Sequence, residues 1–368
     1  MFAQLRCARR AFFLPLIAVS FSIASCQPQT PQAPIGSGSP AASTVAASGG
    51  SGGNVSLTGA GASFPAPLYQ RWFSEYNKQN PNVRVSYQSV GSGAGVEQFT
   101  RGTVDFGASD TGMKQEEIAK VSKGAVLLPM TAGSVVIAYN LPNVQNSIKL
   151  PRQVYTDIFL GKIKNWNDAR IAQANPGVNL PNTPITVVHR ADGSGTTSVF
   201  TKHLSAISPE WKSKVGSGKT VNWPAGIGAK GNEGVTAQIQ QTQGAIGYTE
   251  YGYAKQQQMP MATLQNKAGT FVAPTPDTAA KTLAAVQLPA DLQASITDPD
   301  GADSYPIVTY TWIMAYKKYD DPNKAQAIKK VVQWGLNEGQ KYSQELGYVP
   351  LPEQVVKKVQ AAANQIQS

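Results

Sequence analysis

The stretch Arg190-Ala-Asp-Gly-Ser-Gly-Thr-Thr-Ser-Val-Phe200 decides how this chain builds its site. An apolar run, Ile185-Thr-Val-Val-His189, leads into it and reads as a strand. Thr196 to Leu204 read as a helix. The first turn of a helix carries N–H groups without intrahelical acceptors, at the positive end of the helix dipole. A glycine turn that opens a helix therefore suits an anion. Ser194 and Thr196 add hydroxyl donors, and Gly193 and Gly195 let the backbone come close to a ligand. Arg190 adds a planar fork of donors that fits a tetrahedral oxyanion. Asp192, two residues on, is placed to pair with it. The plainer reading of the same residues is an N-capped helix after a glycine turn.

Three further turns share this character. Thr58-Gly-Ala-Gly-Ala-Ser-Phe64 precedes a helical pattern begun by Pro65, and offers the Ser63 hydroxyl with backbone donors at Ser63 and Phe64. Gly91-Ser92-Gly93 precedes a helix at Val96, and Asp105-Phe-Gly-Ala-Ser-Asp110 ends a strand on a carboxylate. Asp110 gives the set its chemistry. A carboxylate repels a bare anion, yet when ionised it accepts an O–H from an oxyanion that carries a proton. It therefore favours monohydrogen phosphate over fully ionised sulfate. The alternative is that Asp110 caps a helix near Lys114 to Lys120.

The rest of the chain alternates strand-like and helix-like segments. Leu68, Trp72, Phe73 and Tyr76 recur at helical spacing before Pro81, and read as core. Val83, Val85 and Tyr87 alternate as in a strand. Ala125 to Pro129, Ser134 to Asn140, Ile246 to Tyr248 and Ile307 to Ala315 read as further strands, and Lys324 to Asn337 and Glu353 to Ile366 as closing helices. Repeated β-α-β order implies parallel sheets covered by helices. Gly216-Ser-Gly-Lys-Thr220 resembles the end of a P-loop, but Ser213 stands where the first glycine belongs. Gly49-Gly-Ser-Gly-Gly53 matches a nucleophile elbow without a strand or helix around it. His189 and His203 lack metal-ligand spacing, so no metal or other cofactor is expected.

With 368 residues, 41% hydrophobic and 15% charged, the chain can bury two α/β lobes. Its net charge of +10 is spread without a Lys/Arg-rich run, which argues against nucleic acid. Residues 1–26 read as a lipoprotein signal peptide. Arg6, Arg9 and Arg10 precede an apolar Ala11 to Ser22, and Ile23-Ala-Ser-Cys26 resembles a bacterial lipobox with Cys26 as the acylated residue. The other cysteine, Cys7, lies inside the cleaved segment. Residues 27–54 carry no charge and read as a flexible linker.

From about Ser56 onward the chain resembles the phosphate-binding proteins of bacterial high-affinity phosphate ABC transporters. The resemblance is carried by Leu57-Thr-Gly-Ala-Gly-Ala-Ser-Phe-Pro-Ala-Pro67, Val104-Asp-Phe-Gly-Ala-Ser-Asp110, Ile158-Phe-Leu-Gly-Lys-Ile-Lys-Asn-Trp166, Arg190-Ala-Asp-Gly-Ser-Gly-Thr196 and Gly244-Ala-Ile-Gly-Tyr248. It implies a two-lobe α/β fold of the type II periplasmic-binding-protein kind, each lobe a mainly parallel sheet covered by helices, with the ligand in the interlobe cleft. Residues 55–135 and, from an approximate boundary, 258–368 would form lobe 1 and residues 136–257 lobe 2, with Ser134 to Asn140 and Ile307 to Ala315 as crossing segments. It implies phosphate held by Ser63, Phe64, Ser92, Asp110, Arg190, Ser194, Gly195 and Thr196, with Asp192 fixing Arg190. Ser stands at 63 where Thr is common, and Gly at 93 where Ser can occur; the hydroxyl is kept at the first position and absent at the second. It implies delivery of phosphate to the transporter's permease subunits by a lipid-anchored monomer at the periplasmic or cell surface, without catalysis. A phosphate sensor or scavenger with the same site, and a phosphomonoester hydrolase, are the alternatives.

Overall fold

The computed structural model describes residues 54–144 and 147–368. The signal, Cys26 and all but the last residue of the linker lie outside the described residues. The strands are β1 Val55–Gly61, β2 Val83–Ser89, β3 Phe106–Ser109, β4 Ala125–Tyr139, β5 Lys149–Leu150 and β6 Thr186–Arg190. They continue with β7 Ile227–Ala229, β8 Ala245–Glu250, β9 Thr263–Gln265, β10 Phe271–Val272 and β11 Val308–Tyr316. The helices are α1 Ala66–Gln79, α2 Ser92–Arg101, α3 Gln115–Ile118, α4 Arg152–Phe159, α5 Ala169–Ala174, α6 Gly195–Ile207 and α7 Pro209–Lys214. Then come α8 Gly231–Gln241, α9 Tyr251–Gln256, α10 Pro276–Ala284, α11 Pro322–Leu336, α12 Gln340–Leu346 and α13 Glu353–Ala363. Among the described residues no helix is long and apolar enough to cross a membrane.

Eight strands form one mixed sheet in the order β2-β1-β3-β11-β4-β8-β6-β7. At either end the strands are parallel: β1 pairs β2 and β3, and β6 pairs β7 and β8. The middle is antiparallel, because there the chain passes from one half of the sheet to the other. Along β4 the partner changes within one residue. Ser134 faces Val308 of β11, and Val135 faces Glu250 of β8.

The segments 125–129 and 134–140, expected as two strands, are thus one strand. Pro129 and Gly133 signal a break, and proline is admitted inside a sheet only at an edge or a bulge. Here the register slips between Thr311 and Trp312, which face Thr131 and Pro129, so Met130 is the extra residue of a bulge. The expected return to the first lobe at 258 also differs. β9 pairs with β5 and β10, and Met261 bridges Ala138, so residues 261–272 stay with the second segment. The chain rejoins β3 only at β11.

The apolar face of α1 is the core stripe that the spacing predicts: Leu68, Trp72, Phe73 and Tyr76 are all buried, and Tyr69 joins them. Burying such side chains stabilises a fold by about 1.5–3 kcal/mol each. The glycine turn expected before Val96 is instead the first turn of α2. Its glycine serves packing: a Cβ on Gly95 would lie 2.4 Å from the Gly61 Cα and 2.9 Å from the Ala108 carbonyl. The helix therefore begins four residues early, with its N-terminus seated on β1 and β3.

Candidate anion-binding site

Five chain segments reach one place from the carboxyl ends of parallel strands, where open α/β sheets bind ligands. Ser63 follows β1, Ser92 follows β2, Asp110 follows β3, Arg190 ends β6, and Asn232 follows β7. The first three belong to one half of the sheet and the last two to the other. All five are buried, at 0–4% exposure. The halves meet here: the Gly93 N–H donates to the Gly193 carbonyl at 2.7 Å. Gly195 lies so close to the opposite half that a Cβ would sit 2.5 Å from Ser92 Oγ and 2.8 Å from Asp110 Oδ2.

Arg190 is held on two sides. Its Nε donates to Asp192 Oδ1 at 2.7 Å and its Nη2 to Asp192 Oδ2 at 2.5 Å, a bidentate pair that fixes the plane of the fork. Burial works against the guanidinium charge, but the bonds and charge of Asp192 outweigh it and raise the Arg190 pKa above its ordinary value. Burial opposes ionisation of Asp192 as well, and Arg190 reverses that to hold the carboxyl below its usual range. Gly231, at the start of α8, adds an N–H to Asp192 Oδ1 at 3.1 Å. Below this pair, the Tyr248 hydroxyl accepts the Arg190 N–H at 3.1 Å and meets Thr197 Oγ1 at 2.5 Å. Phe200 stacks on Tyr248 at 4.4 Å.

Ser194 is the N-cap of α6. Its Oγ accepts the Thr197 N–H at 3.0 Å, and its own N–H donates to the Lys219 carbonyl at 2.8 Å. The capped-helix reading is thus correct, and the cap is what aims this helix N-terminus at the site. Gly195 and Thr196 keep first-turn N–H groups that precede any intrahelical acceptor. Lys219 belongs to the P-loop-like stretch, which starts no helix but supplies this carbonyl.

Asp110 does not cap a helix. The N-cap of α3 is Lys114, whose N–H bonds to Glu117 Oε2 at 2.7 Å. Asp110 instead points between the halves: Oδ1 accepts from Thr311 Oγ1 at 3.0 Å and Oδ2 from Thr196 Oγ1 at 3.3 Å. Its N–H donates to Ser92 Oγ at 3.3 Å. Burial pushes its carboxyl up to about 7, and the Thr311 bond, the Arg190 charge and the Thr196 and Ser92 bonds pull it back only in part. Near neutral pH Asp110 exchanges a proton, so it accepts from a protonated oxyanion when ionised and donates to a bare one when neutral.

Sequence reasoning named Ser63, Phe64, Ser92, Asp110, Arg190, Asp192, Ser194, Gly195 and Thr196, and the fold gathers them. It missed Asn232 and Thr311. Asn232 Nδ2 donates to Ser63 Oγ at 2.9 Å and to Thr196 Oγ1 at 3.4 Å, and its N–H donates to Ser63 Oγ at 3.1 Å. The signal for Asn232 was present in Gly226-Ile-Gly-Ala-Lys-Gly-Asn232, one more glycine-bearing strand end before a helix. Formal charge nearly cancels, since Asp192 neutralises Arg190. The arrangement therefore offers oriented neutral donors and helix ends rather than net positive charge.

A sequence profile for the PBP superfamily domain matches residues 38–338. The phosphate-binding protein PstS of Pasteurella multocida is 46% identical over 308 residues, covering 83% of this chain and 89% of that protein. PstS of Methanocaldococcus jannaschii is 42% identical over 330 residues, covering 83% and 85%. Among solved structures, a phosphate-binding protein from Stenotrophomonas maltophilia superposes with a TM-score of 0.67 at 19% identity, over 83% of this chain and 93% of that one. A high-affinity periplasmic phosphate-binding protein solved with phosphate bound gives 0.69 at 20% identity, with the same coverage. These structures share the fold. By the profile and by the identity to its relatives, the chain belongs to the PstS phosphate-binding proteins of the PBP superfamily.

Proposed function

We propose that this protein binds inorganic phosphate outside the cytoplasmic membrane, in a cleft between the two halves of its sheet, and hands it to the permease of an ABC transporter. The observation that carries this reading is the setting of Asp110, a single buried carboxylate ringed by hydroxyls, first-turn N–H groups and Arg190. Such a set matches an oxyanion that has acceptor oxygens and can share one proton. In this reading Ser63, Ser92, Ser194 and Thr196 donate hydroxyls, Phe64, Gly195 and Thr196 donate N–H groups, Arg190 donates its fork, and Asp110 shares the proton. The relatives carry the name of phosphate-binding proteins, so binding without turnover is proposed. The lobes would hinge where β4 changes partners at Ser134/Val135 and where β11 begins.

Calorimetric titration of ligand-stripped protein with phosphate, arsenate and sulfate tests the reading, with small-angle scattering to follow closure. Tight phosphate and arsenate binding with compaction is expected. Absence of phosphate binding refutes it. We further propose that the protein is a monomer tethered by lipid at Cys26, supported by the order of basic, apolar and small residues before that cysteine. Cys26→Ser should lose lipid labelling; a labelled variant or an unlabelled wild type would overturn the tether.

A further inference from the structure

We propose that Asn232 is a positioning residue that fixes the Ser63 hydroxyl as a donor to phosphate and makes that polarity conditional on closure; this rests on the phosphate reading above. The Asn232 amide has one permitted orientation. Its Oδ1 accepts the Glu250 backbone N–H at 3.1 Å and Thr249 Oγ1 at 3.2 Å. A backbone N–H only donates, so the atom facing it is the carbonyl oxygen, and the NH2 faces Ser63 and Thr196.

Ser63 Oγ thus receives two N–H donors, Asn232 Nδ2 at 2.9 Å and Asn232 N at 3.1 Å. A hydroxyl has two acceptor lone pairs and one proton. With both lone pairs filled, the oxygen has one capacity left, which is to donate. Among the described residues no side chain or carbonyl accepts that proton, and Ser63 is 1% exposed. The Ser63 carbonyl is engaged separately, by the Tyr253 hydroxyl at 2.7 Å, so the residue is held at both ends.

The bond crosses the cleft. Ser63 lies between β1 and α1 in one half, and Asn232 lies on α8 behind β7 in the other. When the halves part, Ser63 regains its lone pairs and can face a ligand as donor or acceptor. When they close, only the donor form survives. An acceptor-rich oxyanion at Ser63 therefore fits the closed state better than the open one, which is the differential affinity that shifts a population.

The test is a double-mutant cycle of Asn232→Ala and Ser63→Ala, read by phosphate calorimetry and by scattering. In the wild-type background Asn232→Ala should weaken phosphate binding by about 10- to 100-fold, the effect of leaving a buried polar partner unmade. In the Ser63→Ala background it should weaken binding by less than about threefold. Equal losses in both backgrounds, or no loss in wild type, would overturn the role. Asn232→Asp supplies a second measurement. It keeps the acceptor for Glu250 N–H but puts a carboxylate oxygen against Ser63, which takes the Ser63 proton once ionised. Its phosphate binding, relative to wild type at each pH, should worsen as pH rises; a pH-independent ratio would refute the proposal even if the alanine variant fails to fold. Wild-type protein that binds no phosphate fails the functional reading, whereas wild-type binding with an additive cycle fails only this inference.

Discussion

Replacing Asp110 by Asn should change how the ligand-free protein responds to pH. In wild type, burial pushes this carboxyl from 3.8 to about 7. A carboxyl whose pKa is raised on folding favours the folded state while it is protonated. That contribution is complete below the unfolded value near 4 and is lost as pH rises through about 7. The span of about three pKa units corresponds to roughly 4 kcal/mol. Asp110 is 1% exposed, so solvent does little to screen it. The amide that replaces it does not ionise, and so carries none of this slope. Its own cost is local: the amide can still accept from Thr311, but Thr196 must turn its proton away from the new NH2, for about 1 kcal/mol. The variant should therefore be similar to or slightly less stable than wild type near pH 4, and more stable by roughly 3 kcal/mol at pH 8. For a chain this size that is a Tm difference of roughly 5 °C. Thermal unfolding in phosphate-free buffer across that range measures it. His203, lowered to about 4 by burial, titrates in both proteins and drops out of the difference, whereas Glu250, raised first by burial, also feels the Asp110 charge and contributes a smaller part of it. Parallel curves for the two proteins would refute the buried, proton-exchanging Asp110.

In the proposed reading the same proton governs selectivity. Wild type should reject sulfate most strongly above pH 7 and less strongly below it, whereas Asp110→Asn should admit sulfate with little pH dependence; competition titrations at two pH values decide. Arg190→Ala removes a buried charge partner and leaves Asp192 unpaired, which typically costs about 2–5 kcal/mol, or a roughly 30- to 5,000-fold weaker phosphate Kd by calorimetry. A Kd within about threefold of wild type would remove Arg190 from the site. Gly195→Ala places a methyl against Ser92 Oγ and Asp110 Oδ2, so it should hold the halves apart and weaken binding at least about tenfold while the ligand-free Tm changes little. Unchanged affinity would show that the two halves do not need this close approach.

The local part of the site was legible because each element is written in a few adjacent residues. A strand end, a glycine and a hydroxyl before a helix announce themselves at Ser63, at Ser92 and from Arg190 to Thr196, whatever the rest of the chain does. Asp192 followed from its spacing to Arg190. Thr311 could not be found this way: it lies in the middle of an apolar strand, and only the pairing of β11 with β3 brings it to Asp110. The ionisation of Asp110 was hidden for the same reason, since its cause is burial by distant segments. The continuity of β4 was hidden by Pro129 and Gly133, which are local strand breakers that the bulge at Met130 accommodates. The second boundary was legible only approximately, because β9 and β10 return to β5, a two-residue strand with almost no sequence signature.

The placement of β11 has a consequence for how the chain reaches this state. Ser109 waits for Trp312, and Ala125 for Tyr316, about two hundred residues later in the sequence. Until Val308–Tyr316 has been synthesised, β3 presents an open edge and the first ten residues of β4 have no sheet neighbour. The first half of the sheet therefore cannot finish as an independent unit from the N-terminus forward, and its assembly is dominated by distant contacts that close slowly. A chain stopped short of Val308 carries every residue proposed to hold phosphate, yet lacks the strand that joins β3 to β4 and brings Thr311 to Asp110.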